Sequence, residues 1–182
     1  MERITQQIDQ LLNRNDRIIV AIDGKCTSGK TTLAARLAKR YDCNLFHMDD
    51  FFLRPEQRTP ERYAQIGGNV DYERFREEVL LPLCAGQAFS YQPFDCKTFT
   101  LSAPVPVSPK KLNIIEGSYS LHPYFADPYH LKILLTVDEE TQHLRILDRP
   151  AFVQERFFTQ WIPMENQYLD TFRISEKADL IL

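Results

Sequence analysis

The chain has 182 residues, 43% of them hydrophobic, which is enough to bury one sizeable core and predicts a single domain spanning residues 1–182. Its net charge of −3 and the absence of any long Lys/Arg block argue against a nucleic acid or a membrane surface as partner. No apolar run approaches the roughly 18 residues that cross a bilayer, and the first ten residues are polar where a secretory signal would be apolar. We therefore expect a cytoplasmic protein.

The apolar residues predict helices and strands that alternate along the chain. Ile4, Ile8, Leu11 and Leu12 place one apolar stripe on an N-terminal helix. Five apolar runs predict strands at 18–22, 45–48, 112–115, 131–137 and 178–182. The segments between them predict helices at 32–41, 72–83, 139–149 and 161–172, and residues 150–156 are predicted to be a linker. Prolines and alternating aromatic residues in 89–107 predict an extended hairpin. Strands separated by helices indicate a parallel α/β sheet covered on both faces.

A phosphate-binding loop is predicted directly after the first strand. The segment 24–32, GKCTSGKTT, matches GxxxxGK(S/T) and lies between a buried strand and a helix, which is the context that such a loop requires. Its backbone N–H groups would close around phosphate oxygens at the positive end of the helix. Lys30 would reach the terminal phosphates and Thr31 would hold Mg²⁺. The predicted ATP-binding residues of the loop are Gly24, Lys25, Cys26, Thr27, Ser28, Gly29, Lys30, Thr31 and Thr32.

The cysteines predict no metal centre and no disulfide framework, because Cys26, Cys43, Cys84 and Cys96 form no CxxC pair. We read them as reduced thiols. Cys26 lies just ahead of a helix N-terminus and near two lysines, an environment that lowers the pKa of a thiol. We therefore expect Cys26 to be more reactive than Cys43 or Cys84 in the free protein.

Acidic residues follow two further strands, and ligands of such sheets bind at the carboxyl ends of the strands. Glu116 ends the third strand, where a Walker B acid holds Mg²⁺ directly or through water. Asp49 and Asp50 end the second strand, and neighbouring strand residues point to opposite faces. We expect Asp49 to accept the proton of an acceptor hydroxyl and to stay ionised because Lys30 is close. We expect Asp50 to have only a structural role.

Four segments occur in the same order as in a known family: GKCTSGKTT, HMDDFF, NVDY and IIEGSYSLHP. They make the chain similar to the uridine kinase and phosphoribulokinase family of P-loop metabolite kinases, which also includes nicotinamide riboside kinases and bacterial pantothenate kinase. The resemblance implies a three-layer P-loop kinase sandwich with a five-stranded parallel sheet and helices on both faces. It also implies a substrate-binding insertion at about 52–110, a short lid at about 148–160, and the use of ATP with Mg²⁺.

The resemblance further implies roles for single residues. Asp49 takes the role of catalytic base beside Lys30, and Glu116 joins Thr31 in holding magnesium. Arg145 and Arg149 correspond to lid arginines that clamp phosphates. The residues implied in acceptor binding are Asp49, Asp71, Asp95, Phe99 and Gln160. In the hairpin segment FDCKTF, Cys96 and Phe99 stand where uridine kinases carry an aromatic residue and a histidine that hold the pyrimidine, so recognition of uridine itself is not implied.

Two classes of function follow. The first is a kinase that passes the terminal phosphate of ATP to a hydroxyl of a small metabolite, a nucleoside in the uridine kinase-like case or a vitamin precursor in a variant of it. The second is a nucleotide-operated ATPase or switch without a small-molecule acceptor. The chain contains neither an NKxD nor an LSGGQ segment, and an acid at the second strand end has no evident use in a switch, which favours the kinase. The sequence does not decide whether the protein prefers ATP or GTP, or whether it is a monomer or a homo-oligomer.

Overall fold

The computed structural model describes residues 1–182. Its α-helices are α1 (Glu2–Arg14), α2 (Lys30–Arg40), α3 (Pro60–Tyr63), α4 (Tyr72–Phe75), α5 (Leu81–Ala85), α6 (Glu139–Leu147), α7 (Ala151–Arg156), α8 (Ile162–Thr171) and α9 (Ile174–Lys177). The strands are β1 (Ile18–Gly24), β2 (Cys43–His47), β3 (Phe89–Tyr91), β4 (Phe94–Asp95), β5 (Thr100–Leu101), β6 (Val105–Val107), β7 (Leu112–Glu116), β8 (Leu131–Leu135) and β9 (Leu180–Ile181). A π-helical turn, Arg76–Leu80, joins α4 to α5, and another, Phe157–Trp161, joins α7 to α8.

The main sheet has five parallel strands in the order β2-β7-β1-β8-β9. This arrangement confirms the predicted α/β class and the predicted five-stranded parallel sheet. The segment between α5 and β7 forms two small antiparallel ladders, β3 with β6 and β4 with β5, as the hairpin prediction required. Because all five main strands run the same way, their carboxyl ends meet at one edge of the sheet.

Two apolar cores lie on opposite sides of the sheet, because successive residues of a strand point to opposite faces. On one side, Ile18, Val20 and Ile22 of β1 belong to a cluster with apolar residues of α1 and α2. On the other side, Ile19 and Ala21 belong to a cluster with the helical segment 72–85, β3, β6 and α8. β1 is buried along its whole length. The phosphate loop therefore begins at the end of a fully buried strand.

Several element boundaries differ from the prediction. β2 ends at His47, and the next four residues, Met48–Phe51, form a 3₁₀ turn. β8 and β9 are shorter than predicted, ending at Leu135 and beginning at Leu180. The predicted linker 150–156 is instead the helix α7, since Pro150 stands at its N-cap and Ala, Gln, Glu and Arg are good helix formers. None of the helices combines the length and the apolarity needed to span a membrane.

The close packing at Gly24 generates a test of the fold. Gly24 has φ +137°, and a Cβ at this position would overlap the carbonyl oxygen of Leu135 on the neighbouring strand. Gly29 also has a positive φ, +98°, but an added Cβ would meet nothing within 4 Å. We expect Gly24→Ala to lower the free energy of unfolding by about 1–3 kcal/mol more than Gly29→Ala, the usual cost of overpacking. Urea denaturation measures the difference, and equal losses would contradict the packing argument.

Candidate active site

A cavity of about 960 Å³ opens at the carboxyl edge of the sheet. Its walls come from the phosphate loop, the turn after β2, the segment after β7, and the helices α6 and α8 with the π-helical turn before α8. The predicted residues that line it are Cys26, Thr27, Ser28, Gly29, Lys30, Thr31, Thr32, Asp49, Glu116, Arg145 and Arg149. The fold thus brings the predicted nucleotide, metal and base residues together in one space.

The backbone of the phosphate loop turns tightly at three residues. Gly24, Thr27 and Gly29 have positive φ angles of 137°, 60° and 98°. The Lys30 ammonium donates hydrogen bonds to the carbonyl oxygens of Gly24 and Lys25, both at 2.8 Å, and so closes the loop from within. The hydroxyl oxygens of Thr27 and Ser28 are buried and have no hydrogen-bond partner. Both hydroxyls can therefore serve an anion that enters the loop.

Two flanking helices hold the loop from outside. The Cys26 N–H donates to Glu165 Oε2 at 2.8 Å, and the Ser118 hydroxyl donates to Glu165 Oε1 at 2.6 Å. From α6, Gln142 Nε2 donates to the Cys26 carbonyl at 3.1 Å, and Arg145 Nη1 donates to the Thr27 carbonyl at 2.8 Å. Of the four side chains that hold the loop in this way, Glu165, Ser118, Gln142 and Arg145, only Arg145 was predicted. The sequence carries one signal for Glu165: it is a charged residue three positions before the buried Tyr168, on the inward face of α8.

Asp23 connects the start of the loop to the rest of the site. Its fully buried carboxylate accepts hydrogen bonds from the Gly24 N–H at 2.6 Å, the Tyr119 N–H at 3.1 Å, the Leu121 N–H at 2.9 Å and the Tyr168 hydroxyl at 2.6 Å. Burial raises the pKa of Asp23, and the hydrogen bond from Tyr168 and those from the backbone oppose the rise. The prediction missed this residue, although one carboxylate at the end of an otherwise apolar strand is a visible anomaly.

The predicted magnesium residues lie side by side, Thr31 in the first turn of α2 and Glu116 at the end of β7. The Thr31 hydroxyl lies 3.2 Å from Glu116 Oε1, and His47 Nδ1 lies 2.5 Å from the same oxygen. His47 reaches Glu116 because the two residues are paired in register between β2 and β7. The hydrogen bond to Glu116 raises the pKa of His47. A hydroxyl and a carboxylate are the hard oxygen donors that suit Mg²⁺. No cluster of three or more His, Cys, Asp and Glu is present, so phosphate oxygens and water would have to complete the coordination.

The two acids after β2 occupy different environments, because the strand has already turned where they occur. Asp49 lines the cavity, whereas Asp50 does not. The Tyr91 hydroxyl donates to Asp50 Oδ2 at 3.4 Å, and the Asp50 carbonyl accepts from Arg74 Nη2 at 3.0 Å. Around Asp49, the protein walls displace water and raise the pKa of the carboxyl, and the Glu116 charge adds to the rise. Lys30 acts in the opposite direction, as expected from the sequence, but it does not outweigh desolvation.

The remaining predicted acceptor residues do not line the cavity. Asp71 is 2% exposed and caps α4, where its carboxylate accepts from the Arg74 N–H at 3.2 Å and lies 3.5 Å from Arg74 Nε. Asp95 accepts from the Lys97 N–H at 2.7 Å within the hairpin turn. Phe99 is 51% exposed, and Gln160 accepts from Arg156 Nε at 3.0 Å. The Asp71 N–H donates to the carbonyl of Phe51, two residues after Asp49, at 2.7 Å. The Asp49 charge also acts on Cys96 of the hairpin, so both segments adjoin the site.

The prediction of a reactive Cys26 thiol is wrong. Burial raises the pKa of Cys26 to about 12, and the neighbouring Glu165 carboxylate adds to the rise. Lys30 lowers it, as the sequence suggested, but by less. The sequence showed the two lysines and the helix end but not the acid that α8 brings against the loop.

No protein-family model matches the chain, and no curated protein matches it either. Among solved structures, a possible uridine kinase from Bacillus stearothermophilus superimposes with a TM-score of 0.72 and 24% sequence identity over 100% of both chains. Shikimate kinase from Bacteroides thetaiotaomicron has a TM-score of 0.46 and 12% identity over 91% of this chain and 85% of its own. TT1252 from Thermus thermophilus has a TM-score of 0.46 and 17% identity over 92% and 88%. The full-length superposition confirms the predicted fold: the chain is a three-layer P-loop kinase sandwich in architecture.

Proposed function

We propose that the protein is an ATP-dependent phosphotransferase that passes the terminal phosphate to a hydroxyl of a small metabolite. One observation carries the proposal: Asp49 shares a cavity with Lys30, Thr31 and Glu116. A nucleotide switch needs the last three of these residues but has no use for a free carboxylate that faces the same space. An acid beyond the phosphates is what an acceptor hydroxyl requires.

Each residue then has a distinct task. Backbone N–H groups and the hydroxyls of Thr27 and Ser28 bind phosphate oxygens, and Lys30 exchanges its loop carbonyls for the terminal phosphates. Thr31 and Glu116 would hold Mg²⁺, which offsets negative charge on the phosphates when it is bound. Asp49 orients the acceptor hydroxyl and takes its proton late in a loose transition state. Arg145 and Arg149 add positive charge where charge develops on the transferred group.

The acceptor class is the finer part of the proposal. The ordered resemblance of GKCTSGKTT, HMDDFF, NVDY and IIEGSYSLHP to uridine kinase-like enzymes supports a nucleoside, and a non-nucleoside such as a vitamin precursor is the alternative. A role in acceptor binding for Asp71, Asp95, Phe99 and Gln160 stays a prediction. We also keep cytoplasmic location, ATP over GTP, and a homo-oligomer at the level of hypotheses.

ADP release with and without hydroxylated acceptors tests the function. We expect release from MgATP to rise many-fold when the correct acceptor is added. A phosphorylated product, detected by mass spectrometry, should form in equal amount. ADP release that is the same with every acceptor and without any would contradict the kinase and support the ATPase or switch.

Replacing Asp49 tests the base. We expect Asp49→Asn to lower turnover roughly 10²-fold or more, because a positioned general base supplies about that factor, while ATP binding persists. Asp50→Asn is the matched control, since its side chain lies outside the cavity, and it should be much milder. Steady-state kinetics at saturating ATP and acceptor make the comparison. Near-wild-type turnover of Asp49→Asn would remove Asp49 from the mechanism.

Replacing Lys30 tests the cation of the loop. Lys30→Ala should lower turnover roughly 10²-fold or more, since one preorganised charged group contributes at least that much. ATP affinity should fall as well, because the Lys30 bonds to the carbonyls of Gly24 and Lys25 are lost. Lys39→Ala, an exposed position on the same helix, is the control and should change neither quantity. Equal ATP affinity in wild type and Lys30→Ala would show that Lys30 does not support the loop.

A further inference from the structure

Besides the Thr27 and Ser28 hydroxyls of the phosphate loop, two further polar atoms in the wall of the cavity have no hydrogen-bond partner. The Tyr119 hydroxyl and Asn69 Oδ1 are both buried from solvent and unpaired, although their side chains line the cavity. Tyr119 is only 2% exposed. A buried polar group without a partner destabilises the fold, and such groups in a native structure need an explanation. A ligand that supplies the missing partners is one.

A buried carboxylate lies with them. Glu165 lines the same cavity and is 5% exposed. Burial raises the pKa of Tyr119, the Glu165 charge raises it further, and the Asn69 side chain beside the hydroxyl opposes the rise. Three separate segments therefore converge: Asn69 precedes α4, Tyr119 follows β7, and Glu165 belongs to α8.

The cations of the cavity belong to the nucleotide side. Lys30 and Arg36 lie on the helix that follows the phosphate loop, and Arg145 is bonded to a loop carbonyl. Arg149 follows two residues after the end of α6. The convergence of Asn69, Tyr119 and Glu165 contains no cation. An amide oxygen, a hydroxyl and a carboxylate all accept hydrogen bonds, so this part of the wall suits a ligand that donates them.

Aromatic rings complete the wall. Phe52 from the segment after β2 and Phe157 and Trp161 from the π-helical turn before α8 line the same cavity. The Phe157 and Trp161 rings meet edge to face, with centroids 4.6 Å apart. The faces of such rings pack against other rings and attract cations.

We infer that Asn69, Tyr119 and Glu165 form the acceptor subsite, and that they select an uncharged or cationic alcohol rich in hydrogen-bond donors against a phosphorylated or carboxylated one. The inference rests on the proposed function and deepens it. It assigns acceptor choice to the wall beside the phosphate loop rather than to the hairpin residues Asp95 and Phe99. Glu165 also has a structural role, because its carboxylate accepts hydrogen bonds from the Cys26 N–H and the Ser118 hydroxyl. The acceptor and the loop thus share one side chain.

Tyr119→Phe is the decisive variant, because the lost hydroxyl has no partner within hydrogen-bond distance and only the Asn69 side chain beside it. We expect its thermal stability to equal or exceed that of the wild type, whereas the acceptor KM should rise about threefold to thirtyfold, the usual value of one or two hydrogen bonds. The KM for ATP should not change. Tyr129→Phe is the matched control, since the Tyr129 hydroxyl donates to the Ser120 carbonyl and its side chain does not line the cavity. It should lower stability and leave the acceptor KM unchanged.

The acceptor panel contains three charge classes: uridine, adenosine and ribose as neutral alcohols, glucosamine as a cationic one, and shikimate and pantothenate as carboxylates. Faster ADP release with a neutral or cationic member, together with the Tyr119→Phe effect on KM, supports the inference. A carboxylate as the best acceptor, or an unchanged KM in Tyr119→Phe, overturns it while the kinase function stands.

Binding separates the inference from the function. Calorimetry with Asp49→Asn and MgATP measures acceptor affinity without turnover. Binding of a neutral or cationic alcohol that Tyr119→Phe weakens, without phosphate transfer in the wild type, supports the subsite and overturns the kinase. Binding of no panel member, or affinity that Tyr119→Phe leaves unchanged, overturns the subsite.

Discussion

The hydrogen bonds to the buried carboxylate of Asp23 hold the site together. They join the first residue of the phosphate loop to the segment that follows β7 and to Tyr168 on α8. A buried charge of this kind is tolerated only when hydrogen bonds surround it. The positions of Tyr119 and Glu165 depend on it, because Tyr119 supplies one of the N–H donors and Glu165 lies one helical turn from Tyr168. A single carboxylate thus sets the relative positions of the phosphate loop, the segment after β7 and α8.

Hydrogen bonds within the protein fix the conformation of the phosphate loop. Lys30 bridges two loop carbonyls, Glu165 holds the Cys26 N–H, and Arg145 holds the Thr27 carbonyl. A preorganised site loses less entropy on binding. The same contacts explain why Cys26 is protected: the acid that fixes its N–H also raises the pKa of its thiol. Loop geometry and thiol chemistry therefore have a common cause in α8.

The cavity carries charges of both signs. Its cations Lys30, Arg36, Arg145 and Arg149 come from α2, from α6 and from just after α6, and its carboxylates include Asp49, Glu116 and Glu165. Desolvation raises the pKa of Asp49 above that of a free aspartate. A carboxylate with a raised pKa is a stronger base, which suits the proton-accepting role proposed for Asp49. In the proposed acceptor subsite, the Glu165 charge would disfavour an anionic acceptor.

Local patterns in the sequence were sufficient for the sheet, the phosphate loop and the acids at the strand ends. A buried strand, a glycine-rich turn and a helix are contiguous, and strand ends in a parallel sheet must share one edge, so Lys30, Asp49 and Glu116 could be expected together. Asp71, Asp95, Phe99 and Gln160 rested on likeness alone; they do not line the cavity, and their role in acceptor binding stays a prediction. Glu165, Tyr119 and Asn69 lie far apart in the chain and match no motif. Only tertiary packing brings them together, because desolvation and unpaired hydrogen-bonding groups arise from distant segments and have no period or spacing that a sequence can display.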